Sequence, residues 1–177
     1  RDDEKAPFVD LLIAAIEGSD QQVTIENTSH LTYLEMLEHV STLPPDTIAF
    51  YGSYFQDITT ETFAPAAVAN TVGRTANVPV FAFVDMHIRQ GLLGGSVVIT
   101  EKLGEEVAQV ALDYLSGALL LTDEPTRVYP SFYPLFDWQQ LKRWGADPKN
   151  LPGETVFLNY EPTLWATYRE LVLGISI

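Results

Sequence analysis

The feature that most constrains this 177-residue chain is the pace at which short apolar runs alternate with helical periods through its first half. Val78 to Val84 is an apolar run of strand length, suited to burial on both faces. It follows an Ala-rich segment, Thr62 to Ala76, that reads as a helix with Pro65 in its first turn. Upstream, Thr47 to Tyr51 is another short apolar run, bounded by Pro44-Pro45-Asp46 and by Gly52. A helix over Thr32 to Val40 precedes it, with Leu31, Leu34, Leu37 and Val40 on one stripe. Earlier still, Phe8, Leu11, Leu12, Ala15 and Ile16 repeat at helical spacing up to Gly18, and Gln21 to Glu26 alternates as a short strand. Strands that alternate with single helices join through crossovers and so run parallel. The expected fold is therefore α/β, three-layered, with a mainly parallel sheet flanked by helices.

The second half is less regular. Gly91, Gly94 and Gly95 interrupt an apolar stretch that resumes at Ser96 to Thr100. Lys102 to Ser116 reads as a helix with Leu103, Val107, Val110, Ala111, Tyr114 and Leu115 on one stripe, ended by Gly117. Thr122 to Pro134 is rich in Pro and turn residues. Asp137 is placed to N-cap a helix running through Trp144 to a stop at Gly145. A last strand is expected over Glu154 to Tyr160, and a terminal helix over Thr163 to Leu173, with Leu164, Tyr168 and Leu171 or Val172 inward. No repeat or low-complexity tract divides the chain, so residues 1–177 read as one domain.

Composition narrows the function classes. The formal net charge of −14 repels phosphate backbones and anionic lipid, which argues against nucleic-acid and membrane-surface binding. The absence of Cys removes thiolate metal sites, disulfides and thiol nucleophiles. No apolar run reaches the ~20 residues of a membrane span. The opening Arg1-Asp2-Asp3-Glu4-Lys5 is not a signal peptide, and the chain reads as a piece of something longer.

Few residues nominate chemistry. Gly91-Leu92-Leu93-Gly94-Gly95 lacks the Gly-Lys-Ser/Thr of a phosphate-binding loop and the spacing of the dinucleotide fingerprint. It reads as a hinge, or as a bend where the backbone passes a neighbour closely. His30, His39 and His87 form no metal-ligand pair, and His30 and His39 suit helix ends. Neither a metal nor a cofactor is expected. Ser53 lacks a Gly-x-Ser-x-Gly context and a placed triad partner, so no catalytic residue is expected. The carboxylates Glu35, Glu38, Glu105, Glu106 and Asp113 suit solvated helix faces, and Trp138, Trp144 and Trp165 suit packing. Open α/β sheets hold ligands at the carboxyl ends of their strands. Two segments fall there. Ser53, Tyr54, Phe55 and Asp57 follow the run ending at Tyr51, and Asp85 and His87 follow the run ending at Val84. Aromatic rings beside a few oriented polar groups are how small polar ligands are held. The alternative for the first segment is that Tyr54 and Phe55 close the core while Asp57 caps the next helix.

Several stretches together resemble a known family. Val78-Pro79-Val80-Phe81, then Gly91-Leu92-Leu93-Gly94-Gly95-Ser96-Val97, then Gly104-Glu105-Glu106-Val107-Ala108 resemble the type 1 periplasmic-binding-protein fold. The likeness is to its ABC-transporter substrate-binding-like branch, and Leu43-Pro44-Pro45-Asp46-Thr47-Ile48 resembles the start of a strand in that branch. Phe136 to Gly145, Leu151-Pro152-Gly153, and Asn159-Tyr160-Glu161-Pro162-Thr163-Leu164-Trp165 through Tyr168 resemble a version fused to sensor kinases. The resemblance implies an extracytoplasmic, periplasmic sensor domain of an inner-membrane, two-component histidine kinase that binds a small-molecule ligand. Residues 160–177 would form an exit helix toward a membrane span. By position, the ligand contacts would be Ser53, Tyr54, Phe55, Asp57, Asp85 and His87, with a hinge at Gly91, Gly94 and Gly95. The family has two lobes, and this chain corresponds largely to the second. The helix over Lys102 to Ser116 would then expose an apolar stripe that self-association covers. A soluble ABC-transporter binding protein and, less favoured, an α/β enzyme are the alternatives.

Overall fold

The computed structural model describes residues 12–16, 18, 23–119 and 131–161. The expected N-terminal helix is seen as helical residues 12–16, and the terminal helix over 163–173 lies outside the described residues. Among them the order is α1 (Tyr33–Val40), β1 (Ala49–Tyr51), α2 (Pro65–Thr75), β2 (Val80–Ala82), α3 (Asp85–Ile88), β3 (Gly94–Val98) and α4 (Thr100–Leu115). Then follow β4 (Phe132–Asp137), α5 (Trp138–Arg143), a 3-10 turn (Pro148–Asn150) and β5 (Val156–Leu158).

The strands form one five-stranded sheet in the order β1-β2-β3-β4-β5. β1 pairs with β2, β2 with β3 and β4 with β5 in parallel, while β3 and β4 are antiparallel. The expected α/β architecture with a mostly parallel, helix-flanked sheet is what forms. Register assigns the two faces. Tyr51, Val80, Ala82, Val97 and Leu135 are buried with Met36 and Val40 of α1, Val68, Ala69 and Val72 of α2, and Ile88 of α3. On the other face Phe136 is buried with Leu141 of α5, and Phe81, Phe157, Trp138 and Trp144 pack around them.

Local signals explain several helix ends. Thr32 caps α1 in a full capping box with Glu35, Pro65 occupies the first turn of α2, and Asp137 accepts from Gln140 N at 2.9 Å to start α5. Gly145, at φ +64°, follows α5 at the expected stop.

Three expectations are corrected. The strand expected over Gln21 to Glu26 does not form in its described part, residues 23–26: Val23 and Ile25 are exposed, and alternation without a neighbouring strand supplies no ladder. On α1 the buried residues are Met36 and Val40, whereas Leu34 is 74% exposed, because the helix meets the sheet along the 33, 36, 37 and 40 positions. The Pro-rich stretch ending at Pro134 is not all turn, since Phe132–Asp137 is the longest strand of the sheet. Pro134 is tolerated because β5 pairs only from Leu135 onward, leaving Pro134 with a neighbour on one side alone.

The two glycines at the start of β3 are required by close approach. A Cβ on Gly94 would stand 2.5 Å from the Leu135 carbonyl oxygen and 2.6 Å from Phe136, and one on Gly95 would stand 2.7 Å from the Ala82 oxygen. Both have positive φ, +141° and +154°. The bend is thus built into the sheet between β2 and β4. Gly91, by contrast, has open space around its missing Cβ.

Candidate ligand site at the strand ends

Register pairs Tyr51 with Ala82, so the chains leaving β1 and β2 emerge side by side. Both predicted segments, Ser53 to Asp57 and Asp85 to His87, start from this pair of strand ends. Tyr51 joins them. Its ring meets the His87 ring edge-on, with centroids 5.0 Å apart and planes at 89°. Its hydroxyl donates to the Pro65 carbonyl at 2.7 Å and accepts from Tyr54 N at 3.1 Å. Burial pushes the Tyr51 hydroxyl up to about 12, so it stays a neutral donor.

The 52–57 segment is held in an unusual backbone path. Ser53 has φ +79°, a region that residues with a Cβ rarely adopt and that concentrates at binding sites. Tyr54 is half-buried and packs with Tyr33 and Phe63, at centroid distances of 6.1 and 5.5 Å. Phe55 does not close the core: it is 66% exposed. Asp57 caps a helix, but an earlier one than expected. Its Oδ2 accepts from Tyr33 N of α1 at 3.2 Å, while Oδ1 accepts from Thr59 N at 2.8 Å and the Thr59 hydroxyl at 2.5 Å. The start of α2 has no side-chain cap. Hydrogen bonding from Thr59, and further from Tyr33 and Glu61, holds the Asp57 carboxyl below its usual range. A groove of about 250 Å³ lies beside this carboxylate, lined by Thr32, Tyr33, Leu34, Thr59 and Glu61.

The second segment turns mostly inward. Asp85 is 8% exposed and spans from α3 to the first residue of α4, accepting from Thr100 N at 3.1 Å and from its hydroxyl at 2.8 Å. Arg89 Nε stands 3.6 Å from its other oxygen. Burial by itself would raise this carboxyl, but the bonds from Thr100 and the Arg89 charge outweigh it, and the group titrates below its usual range. His87 is 2% exposed, and its Nδ1 has no hydrogen-bond partner. Burial lowers its basicity, against a smaller opposing pull from the Asp85 charge. Met86, between them, is the side chain that faces outward, 46% exposed.

The six predicted residues therefore share one end of the sheet but differ in what they offer. Ser53 and Phe55 carry the accessible groups, while the Tyr54 hydroxyl is buried without a hydrogen-bond partner and its ring packs against the core. Asp57 and Asp85 hold helix starts, and His87 is packed inside. Met86 was not anticipated, and its place between two inward-facing polar residues on one short turn is the signal that would have found it. No group of three or more His, Asp or Glu side chains placed to hold a metal ion is found among the described residues. His39, in the last turn of α1, stands with its Nε2 3.3 Å from Glu26 Oε2.

Opposite in character is α4, which contains no buried residue. Of the expected apolar stripe, Val107, Tyr114 and Leu115 are at least half exposed and Leu103 and Val110 are partly so. No helix among the described residues is long and apolar enough to cross a membrane.

Comparison with known proteins gives a structural likeness. No protein-family model matches the chain, and no curated protein matches it at a significant level. Among solved structures it is similar to the ligand-free, open structure of CD0873, a substrate binding protein with adhesive properties from Clostridium difficile. The TM-score is 0.60 at 20% sequence identity, over 86% of this chain and 49% of that one. The chain thus spans about half the length of the protein it resembles.

Proposed function

We propose that this chain is one lobe of an extracytoplasmic small-molecule binding domain, and that the ligand docks at the ends of β1 and β2. The carrying observation is the pairing of Tyr51 with Ala82, which brings the 52–57 and 85–87 segments to one sheet end, the end at which open α/β sheets receive ligands. The fold likeness to a substrate binding protein supports the same reading. Ser53, Tyr54, Phe55 and Met86 would touch the ligand. Asp57, Asp85 and His87 would fix the shape of the loops that present them. A second lobe would supply the facing wall, and closure would flex at Gly91, because Gly94 and Gly95 are wedged between neighbouring strands. The role is recognition without chemistry.

The wider setting proposed is the periplasmic sensor domain of a membrane-bound histidine kinase, with the region after residue 160 leading to the membrane. A soluble transporter-associated binding protein is the second reading, favoured by the likeness to CD0873, a substrate binding protein. The reading frame beyond Ile177 separates the two: an apolar span of about 20 residues followed by a kinase supports the sensor, and a nearby stop codon supports the transporter component. The site is tested by titrating the complete protein with amino acids, sugars, nucleobases and amines in a calorimeter. Phe55→Ala and Met86→Ala should each weaken the binding found at least several-fold. Unchanged affinity in both would remove the site from the strand ends.

A further inference from the structure

We infer that His87 is a proton-operated latch on the 52–57 loop, which protonation of its imidazole releases. The geometry is a short chain of contacts. The His87 ring is buried against Tyr51, and the Tyr51 hydroxyl is the group that receives the Tyr54 amide and binds the first residue of α2. A neutral imidazole can keep a bare lone pair at Nδ1, where the structure offers no partner. The imidazolium cannot, since it carries N–H groups on both nitrogens and would bury one without an acceptor. The lowest-energy escape is for the ring to leave its pocket. Tyr51 then loses its packing neighbour, and its hydroxyl, which holds the Tyr54 end of the loop, is freed to move, while the Asp57 end stays bonded to Tyr33 and Glu61.

The charges around His87 are few enough to make the response a simple one. On its own element Asp85 is acidic, but that carboxylate is engaged by Thr100 and Arg89. From β1 the facing group is Tyr51, neutral across this range. α2 carries Arg74 alone, in its last turn, and β2 and β3 carry no titratable side chain. Asp137 of β4 is committed to Gln140 and Asn159. No carboxylate among these is free to compensate a buried imidazolium.

A folded-state proton affinity below that of the open state means that acid favours opening. The latch is closed above about pH 6.5, the ordinary His value, and is progressively released below it. Hydrogen exchange of the Tyr54 amide reads the loop directly and needs no ligand, so a failure here leaves the proposed binding role untouched. Only the corollary, that ligand affinity falls in acid, rests on that role. In the wild-type protein the Tyr54 protection factor should fall between pH 6.5 and 5.5, by no more than about fivefold, while the Leu93 amide, bonded to Val80 in the sheet, keeps its protection. His87→Phe should abolish the pH dependence. If that variant does not fold, NMR titration of the wild-type imidazole decides, and titration below 6.5 is expected. Flat Tyr54 protection, parallel loss at Leu93, or an imidazole titrating at or above its ordinary value would each overturn the latch.

Discussion

Asp85 accepts two hydrogen bonds from Thr100, one from the backbone N–H and one from the hydroxyl, and so starts a sixteen-residue helix from a different element. The residue just before α4, Ile99, has no side chain that could cap. A buried carboxylate supplied from α3 does the work an N-cap residue would do, and the favourable end of the helix dipole adds to it. Asp85→Ala should therefore destabilise the chain by about 1–2 kcal/mol. Thr100→Val, which removes only the hydroxyl, should have the smaller effect. A double-mutant cycle from urea midpoints should show coupling between the two of roughly 0.5 kcal/mol or more. Additive losses would mean that the bonds contribute nothing jointly.

Acid should weaken the fold through the same groups. Asp57 and Asp85 both titrate below their ordinary range when folded. A depressed carboxyl contributes stability that is present above its unfolded pKa and is lost as pH falls through the folded one. The melting temperature should consequently drop as pH falls below about 4. Asp57→Asn and Asp85→Asn should each have a shallower decline over that window than the wild type, and thermal scans at half-unit steps would measure it.

Gly94→Ala should be among the most damaging single-methyl changes available. The added carbon would stand 2.5 Å from a carbonyl oxygen at a backbone φ of +141°. A loss of about 3 kcal/mol is expected from the combined overlap and backbone strain. For a domain of this size that is a fall of roughly 6–12 °C in melting temperature. Gly104→Ala is the matched control, because nothing lies within 4 Å of its missing Cβ. It should be neutral or slightly stabilising, Ala being the better helix former.

The bare face of α4 predicts concentration-dependent self-association of the isolated chain. Leu115 is 78% and Val107 57% exposed, on one side of the helix. Light scattering across a hundredfold concentration range should show mass rising above that of one chain. Leu115→Glu combined with Val107→Glu should restore the monomer. A monomer throughout, in the unaltered chain, would show that this stripe does not bind itself.

Much of this architecture is legible in the sequence because its signals are local. Pro65, Asp137 and Gly145 each act within a turn of where they sit, and the apolar runs at Thr47 and Val78 are bounded by their own breakers. β4 is not legible, because Pro134 reads as a breaker and is admitted only by where β5 begins. The strand-end location of the candidate site follows from topology and is likewise readable. What its carboxylates do is not. The partner of Asp85 is fifteen residues downstream and that of Asp57 twenty-four upstream, and no spacing rule joins them. His87 looks available in the sequence because its position is right, but on α3 its ring turns inward and packs against Tyr51 of β1.

The antiparallel pairing of β3 with β4 also bears on how the chain is made. β1, β2 and β3 can pair in order as they leave the ribosome, each with the strand before it. The far edge of β3, with its two glycines, must then wait for Phe132–Asp137. At translation rates of 5–20 residues per second, the stretch between Val98 and Phe132 implies a delay of roughly 2–7 s. Through that interval the nascent sheet presents an open, glycine-softened edge, the kind of edge that pairs with a neighbouring chain. The speed at which codons 99–131 are translated would therefore bear on the yield of folded protein.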